Sequence, residues 1–451
     1  MSAPEVRPRL AAAQLAGQCN GLYLLLHPYV PRWVVLNAVG LAVARLCDGT
    51  HTSREIATEV AGRWAQPPAH VLDDVRACVA RLAEAGFLHD PAPRGAAAGA
   101  DDRPPQRGWR LHLYLTGACN LRCRHCGVGG DAAAAPPLEA DLVRDLIDQA
   151  AAWGAEGVAF GGGEPFLHGD LLALLAYAAP RLKTLLATNA LLVDDAAAEA
   201  LARLGVIVQV SLDGPDALTH DRIRGAGAFD RTWRGVEALR RAGIGERLAL
   251  NVTLMRPNIG RLPEIVALAE RRGVPGLRFT ALQRMGRAAA QWAALAPSPD
   301  EYTAAYRWLY GLRAPAGLAL SPGLLGLELA PPDHGMWCGL GRTLLVDARG
   351  DIYPCGLFVG SEFRLGNVRR MRLADALASE KLAQLIARCA ERREVIPECR
   401  ACAWKHFCQG GCAGSVWQSR GTLDATDGLC AVRRELFGEL LLAMAFKEVR
   451  S

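Results

Sequence analysis

Three cysteines fall on one short loop, Cys119-Asn-Leu-Arg-Cys123-Arg-His-Cys126, and that spacing narrows what this chain can be more than any other feature. Three thiolates so placed suit a 4Fe–4S cube, in which one iron is left without a protein ligand and open to chemistry. A structural zinc site needs four ligands, usually from two paired knuckles, and no second half lies nearby. The chain has fourteen cysteines, and its N-terminus, Met-Ser-Ala-Pro-Glu-Val-Arg-Pro-Arg, lacks the apolar stretch of a signal peptide. Together these features argue for metal binding in a reducing, cytoplasmic setting rather than for disulfides.

Length and charge are consistent with this. A chain of 451 residues has room for about three domains, each with its own core. Fifty-one basic and 46 acidic residues leave a formal charge of +5, too little to imply nucleic acid and compatible with an acidic peptide partner. No apolar run reaches the ~18 residues of a membrane-spanning helix. The longest candidates, residues 33–44 and 440–446, are sized for core helices.

Residues 1–92 read as a winged-helix-like α+β unit. Residues 21–26 form a strand candidate, and residues 37–47 carry apolar side chains at helical spacing before Asp48-Gly49 ends them. Ser53 is placed to cap a second helix with Glu55 in its first turn, and an amphipathic third helix covers 71–85 and ends at Gly86. Phe87-Leu88 would close the unit as a wing strand. Residues 93–108 lie in a stretch rich in Ala, Gly, Pro and Asp and read as a linker.

From 109 to 310, strand and helix signals alternate. Strands are expected at 110–115, 157–160, 184–187, 206–212, 248–253 and 277–280, with a helix over 138–153 and others of 10 to 15 residues between the β runs. Six βα units fit, implying an α/β fold with a parallel sheet or partial barrel. In such folds ligands sit at the carboxyl ends of the strands. Four ligand-type motifs occupy those ends: Cys119 after the first strand, Gly161-Gly162-Gly163-Glu164-Pro165 after the second, Thr188-Asn189 after the next, and Ser211-Leu-Asp213-Gly214 after the fourth.

The C-x3-C-x2-C loop and the following Gly-Gly-Glu-Pro segment resemble the radical S-adenosylmethionine (SAM) superfamily. The resemblance implies a partial (β/α)6 barrel. It also implies that the amino and carboxylate groups of SAM chelate the open iron, and that reductive cleavage of SAM gives a 5'-deoxyadenosyl radical that abstracts hydrogen from substrate. By the same resemblance Gly162, Gly163 and Glu164 would meet the SAM amino group, His125 would flank adenine, and Ser211 and Asp213 would contact ribose or carboxylate oxygens. Thr188 and Asn189 would line the same pocket. Arg224, in His220-Asp-Arg-Ile-Arg-Gly, would pair with the SAM carboxylate through its planar fork. For His125 a surface loop position, and for Arg224 a surface salt bridge, remain open. The run ending in Gly286-Arg287 resembles the last barrel strand of the family and implies no further role.

Seven more cysteines follow: Cys338-x11-Gly350-x4-Cys355, then Cys399-x2-Cys402-x5-Cys408-x3-Cys412, and Cys430. The middle group alone could be a zinc knuckle. The whole set resembles the SPASM domain of radical SAM enzymes that mature peptides, here residues 311–451, with two auxiliary 4Fe–4S clusters. On that likeness Cys399, Cys402, Cys408 and Cys430 would hold an outer cluster. Cys338, Cys355 and Cys412 would hold an inner one whose vacant iron takes substrate, water or a residue such as His334. Cys19, Cys47, Cys78 and Cys389 are expected to be small buried hydrophobes or inert thiols.

Tyr23-Leu-Leu-Leu-His-Pro, Leu46-Cys-Asp-Gly49 and Leu82-Ala-Glu-Ala-Gly-Phe-Leu resemble the PqqD-like fold, or recognition element of ribosomally made, post-translationally modified peptides. Such domains bind a leader peptide as an added strand at a sheet edge. DNA binding and a purely structural role are the alternatives, and the helix from Ser53 carries Arg54 but also Glu55 and Glu59, which disfavours DNA. The expectation is a radical SAM enzyme with three clusters that oxidatively cross-links a precursor peptide, exchanging electrons with a flavodoxin- or ferredoxin-like carrier. Nucleic acid and membrane are not expected as partners. Alternatives are maturation of a protein, as in sulfatase oxidation, where relatives place an aspartate after the Gly-x4-Cys cysteine but this chain has Gly356. Tetrapyrrole modification and a non-catalytic electron-transfer protein are the others.

Overall fold

The computed structural model describes residues 7–11, 13–88, 108–128, 136–324 and 339–448. Cys338 and His334, and nearly all of the expected linker at 93–108, lie outside the described residues.

The N-terminal unit is an antiparallel meander, β1 (Gln14–Cys19), β2 (Leu22–Leu26) and β3 (Trp33–Asn37), followed by α1 (Ala38–Leu46), α2 (Ser53–Arg63) and α3 (Pro68–Glu84). Asn37 caps α1 by accepting the Gly40 N–H at 2.8 Å. The cap of α2 is Thr52, not Ser53: the Thr52 hydroxyl accepts the Glu55 N–H at 3.2 Å while the Glu55 carboxylate accepts the Thr52 N–H at 2.7 Å. This reciprocal box contributes about 1 kcal/mol, and the sequence reading missed it by one residue because Thr and Ser are equally able caps. The expected wing strand at Phe87-Leu88 is absent. Phe87 instead fills the core under α1–α3 and its carbonyl accepts the Ala11 N–H at 2.7 Å.

Period-two alternation gives the meander two apolar faces. Leu25, Val34 and Leu36 pack on the unit's own helices, whereas Leu24 and Leu26 belong to the main core of the molecule. The partner on that second face is the last helix of the chain, which lies against β1 and β2.

Beyond residue 108, six parallel strands form in order: β4 (Trp109–Thr116), β5 (Ala155–Gly162), β6 (Lys183–Thr188), β7 (Ile207–Ser211), β8 (Leu248–Leu254) and β9 (Gly276–Ala281). Between and after them run α4 (Ala140–Ala152), α5 (Leu171–Ala178), α6 (Asp195–Arg203), α7 (Ala217–Arg224), α8 (Ala228–Arg241), α9 (Leu262–Arg271), α10 (Gly286–Ala290), α11 (Trp292–Leu295) and α12 (Pro299–Gly311). Leu111, Leu113 and Leu115 on β4, and their counterparts Val158, Phe160, Val208, Val210, Leu250 and Val252, are buried beneath the helices. The alternate residues face the concave side.

The six expected strands are all present, and among the described residues the sheet continues past both ends of the set. β10 (Ala319–Ser321) adds parallel to β9, and β11 (Thr343–Val346) adds parallel to β4, followed by antiparallel β12 (Asp351–Tyr353) and β13 (Gly366–Asn367). The order is β10-β9-β8-β7-β6-β5-β4-β11-β12-β13. The cysteine-rich region is thus welded to the barrel edge next to the C-x3-C-x2-C loop. It continues as α13 (Leu373–Leu377), α14 (Glu380–Val395), α15 (Pro397–Arg400), α16 (Lys405–Cys408), α17 (Ala413–Arg420) and α18 (Cys430–Glu448). No helix among the described residues is long and apolar enough to cross a membrane.

Candidate active site and cluster ligands

The loop after β4 carries Cys119, Cys123 and Cys126, close enough that each thiol bears on the charge of another. The chain pins this loop from several sides. The Arg124 N–H donates to the Ile223 carbonyl and the Arg287 N–H to the Cys126 carbonyl, both at 2.9 Å. The Arg287 Nε donates to the Cys123 carbonyl at 2.9 Å, and Arg124 Nε reaches Gln291 Oε1 at 2.6 Å. The Gly286-Arg287 pair therefore has a role that sequence left unassigned: it braces the cysteine loop. Burial pushes the Cys123 thiol up to about 11, so a metal bound here would have to displace its proton.

The second motif locks to the first. The Gly163 N–H donates to Thr116 C=O and the Glu164 N–H to Ala118 C=O, each at 2.8 Å. A side chain at Gly163 would overlap the Ala118 carbonyl, so glycine is required by close approach rather than by dihedral freedom. Glu164 is 1% exposed. Its carboxylate accepts from the Thr188 hydroxyl at 2.7 Å, the Asn189 N–H at 2.9 Å and the Phe166 N–H at 3.3 Å. Burial raises its pKa against these donors. Asn189 in turn donates to Asn120 Oδ1 at 2.7 Å, so the ends of β5 and β6 and the cysteine loop form one polar network.

The third group is organised by Asp213, which is fully buried. Its Oδ2 accepts from Arg224 Nε at 2.7 Å and its Oδ1 from the Thr253 N–H at 2.9 Å. His125 Nε2 lies 3.4 Å from Oδ2. Burial raises the Asp213 pKa, but the Arg224 guanidinium and the Thr253 N–H overcome it and hold the carboxyl below its ordinary value. Arg224 is buried, with Nη1 3.9 Å from Cys123 Sγ, so the surface salt bridge is excluded. His125 is equally no surface residue: burial lowers its pKa to about 4 and keeps it neutral. Asp213 thus takes one donor on Oδ1 and faces both Arg224 and His125 with Oδ2, at the centre of this group. Ser211, at the end of β7, is half-buried.

Whether SAM and a cluster suit this place can be judged from polar atoms left over. His125 Nδ1 and Asn120 Nδ2, both on the cysteine loop, are buried without a hydrogen-bond partner among the described residues. Orphaned groups of this kind call for a ligand, and one offers an acceptor while the other offers a donor. The residues fit the group.

In the cysteine-rich region, Cys399 on α15 feels Cys408, Cys430 and Cys402, and burial pushes its thiol up to about 12. These four cysteines lie on the two short helices α15 and α16, the turn between them and the start of α18, and among the described residues no group of three or more Cys, His, Asp or Glu is arranged to hold a metal ion. Cys355 follows β12, and Cys412 caps α17. The Gly350 of the Gly-x4-Cys motif has φ +82° in the β11–β12 turn, a conformation that favours glycine. Tyr114 on β4, absent from the sequence reading, lies near both Cys126 and Cys355, and burial raises its pKa to about 12. Its hydroxyl would be 3.2 Å from a Cβ placed at Gly356. Of the remaining cysteines, Cys47 and Cys389 are buried and Cys78 is half-buried, as small hydrophobes would be, whereas Cys19 is an exposed free thiol.

Comparison with known proteins agrees with this arrangement. Residues 113–269 match the model of the radical SAM superfamily, residues 23–88 that of coenzyme PQQ synthesis protein D (PqqD), and residues 338–403 that of the SPASM iron-sulfur cluster-binding domain. Mycofactocin maturase MftC of Mycobacterium ulcerans is 33% identical over 335 residues, 71% of this chain and 87% of that protein. AdoMet-dependent heme synthase of Nitratidesulfovibrio vulgaris is 29% identical, over 71% of this chain and 91% of that one. Among solved structures, Streptococcus suis SuiB bound to precursor peptide SuiA superposes with a TM-score of 0.61 at 16% identity, covering 93% of this chain and 99% of that chain. The protein anSMEcpe with bound AdoMet gives 0.61 at 20% identity, covering 74% and 99%. The chain belongs to the radical SAM superfamily: it is an enzyme that uses SAM and more than one 4Fe–4S cluster and joins a SPASM domain and a PqqD-like domain to its partial barrel.

Proposed function

We propose that this enzyme binds the leader of a ribosomally made precursor peptide on residues 1–92 and oxidatively cross-links the peptide core in the barrel, residues 109–310. The observation that carries the reading is the coexistence, in one packed molecule, of a three-thiol loop at the strand ends and a meander whose β3 has, among the described residues, a strand partner on one side only. A leader would add beside β3, in place of the Arg81 side chain that donates to the Val35 carbonyl at 3.4 Å. The opposite outer strand, β1, is interrupted by a register shift between Leu15 and Gly17 and leans on α18.

A reduced cluster on Cys119, Cys123 and Cys126 supplies, with SAM, a 5'-deoxyadenosyl radical. The chain's own residues do the rest. Gly162, Gly163 and Glu164 hold the amino end of SAM; Thr188 and Asn189 fix the Glu164 carboxylate. Arg224 faces the SAM carboxylate, and Asp213 orients Arg224 and His125. Neutral His125 offers Nδ1 toward adenine, and Ser211 a hydroxyl toward ribose. Cys399, Cys402, Cys408 and Cys430 hold an outer auxiliary cluster, and Cys338, Cys355 and Cys412 an inner one, in residues 311–451. Clusters held there would supply a one-electron route between the substrate and a flavodoxin- or ferredoxin-like carrier in the cytoplasm. The sulfatase-type reading loses support because Gly356 stands where relatives of that kind carry aspartate, and the Tyr114 hydroxyl is adjacent.

The similarity to an AdoMet-dependent heme synthase favours tetrapyrrole modification as a second reading. The two separate in one experiment, in which the reconstituted enzyme is reduced with SAM and either the peptide encoded beside it or an iron-coproporphyrin. Peptide lighter by two hydrogens per cross-link supports the first reading; decarboxylated porphyrin supports the second.

A further inference from the structure

Two arginines beside the distal cysteines are nearly sealed from solvent and have no part in the assignments above. Arg433 sits on α18, three residues after Cys430, and is 2% exposed. It grips Asp427 with two prongs, Nη1 to Oδ1 at 2.8 Å and Nη2 to Oδ2 at 2.6 Å. The same Nη1 lies 3.5 Å from Cys408 Sγ. Asp427 also accepts the Cys412 N–H at 2.9 Å and the Leu429 N–H at 3.1 Å. One buried ion pair therefore touches a thiol of the four-cysteine group and the backbone of a cysteine from the other group.

Arg392, also 2% exposed, donates to four carbonyls: Leu423 at 2.8 Å, Gly411 at 2.8 Å, Gly410 at 3.0 Å and Ala425 at 2.9 Å. All four are neutral, and Gly410-Gly411 is the link between Cys408 and Cys412. A buried guanidinium facing only carbonyls calls for negative charge nearby. Arg433 adds a second sign of a missing acceptor, since its Nε is buried with no partner among the described residues. A cube held by four thiolates is anionic, its sulfides accept hydrogen bonds, and it becomes more negative on reduction. Cations and N–H donors at its sulfurs therefore favour the reduced state.

We propose that Arg433, positioned by Asp427 and supported by Arg392, raises the reduction potential of the outer auxiliary cluster and so makes it the acceptor for the electron the substrate gives up. This rests on Cys399, Cys402, Cys408 and Cys430 being that cluster's ligands. The balance is one electron at a time: hydrogen abstraction leaves a substrate radical, which loses a proton to water and one electron to the outer cluster. The flavodoxin- or ferredoxin-like carrier takes that electron on.

The test is EPR-monitored potentiometry on the full-length reconstituted holoenzyme. Cys430→Ser identifies the outer signal. If that variant keeps its full iron content and all signals, the ligand assignment fails and with it the basis of the proposal. With the signal identified, Arg433→Gln is expected to shift the reduced-to-oxidised ratio of that cluster at least tenfold toward oxidised, about 59 mV for one electron, while the SAM-binding cluster keeps its midpoint. Arg433→Lys restores most of the shift. Should Arg433→Gln not fold, Arg433→Gln/Asp427→Asn removes both buried charges together and is read in the same way. An outer midpoint unchanged in the folded variant, or one that moves together with the SAM-cluster midpoint, overturns the proposal.

Discussion

Asp213→Asn removes one charge from the centre of the polar site with almost no change of shape. The carboxylate accepts from Arg224 Nε at 2.7 Å on one oxygen and from the Thr253 N–H at 2.9 Å on the other. An amide offers a single acceptor, so whichever way it turns, an NH2 group faces one of these donors. The Arg224–Asp213 attraction at that distance is about 6 kcal/mol at an effective dielectric of about 20, much of it offset by desolvation. Breaking a buried pair from one side typically costs about 3–5 kcal/mol. Burial decides this: Arg241 and Asp195 are also 2.7 Å apart, but their side chains are 63% and 72% exposed, and Arg241→Ala should cost under about 1 kcal/mol. The assay is denaturant unfolding of both variants beside wild type, with SAM affinity measured by calorimetry. Asp213→Asn should lose several kcal/mol and bind SAM at least tenfold more weakly, because Arg224 loses its orientation. Equal stability of the two variants together with unchanged SAM affinity would refute the reasoning.

Gly163→Ala should cost the enzyme roughly a third of its iron, since the new methyl displaces the Ala118 carbonyl beside Cys119; iron analysis showing full occupancy would contradict the close approach. Removing residues 1–92 should uncover α18, whose first residue is Cys430 and which packs on β1 and β2. That truncation is expected to lower the melting temperature and lose outer-cluster iron as well as leader binding, and a truncation with full iron content would count against the shared core. His220 is fully buried, its Nδ1 accepts the Asp213 N–H at 3.2 Å, and burial lowers its pKa to about 4. Between about pH 6.5 and 4 the unfolded chain binds a proton that the folded one refuses, so stability falls as pH falls, by about 3 kcal/mol from this residue. His220→Gln should flatten the pH dependence of the melting temperature in that window, and an unaltered slope would exclude this assignment.

Much of the site was readable from the sequence because its chemistry is carried by rare residues at fixed spacing. The three cysteines, Gly162-Gly163-Glu164 and Asp213 announce themselves, and parallel strands buried beneath helices read as apolar runs. What sequence leaves open is what depends on three-dimensional neighbours. Arg224 and His125 read as SAM contacts with a surface position as the alternative, and their burial against Asp213 closes that alternative. Asp213 reads as a ligand contact, and in the fold it also accepts from Arg224 and from a backbone N–H forty residues on. Gly286-Arg287 bracing the loop, and Arg433 beside Cys408, follow from contacts between distant segments that no local pattern encodes. Leu24 and Leu26 gave a correct strand, but nothing in their alternation says that the second face belongs to a helix more than four hundred residues away.

The most direct measurement is an anaerobic incubation of the reconstituted enzyme with dithionite, SAM and the precursor peptide encoded beside it, followed by mass spectrometry. The account predicts 5'-deoxyadenosine together with a peptide lighter by two hydrogens per cross-link, both abolished by replacing Cys119, Cys123 and Cys126 with serine. Formation of neither product by a preparation with full iron content, or an unmodified peptide alongside turnover of a tetrapyrrole, would contradict it.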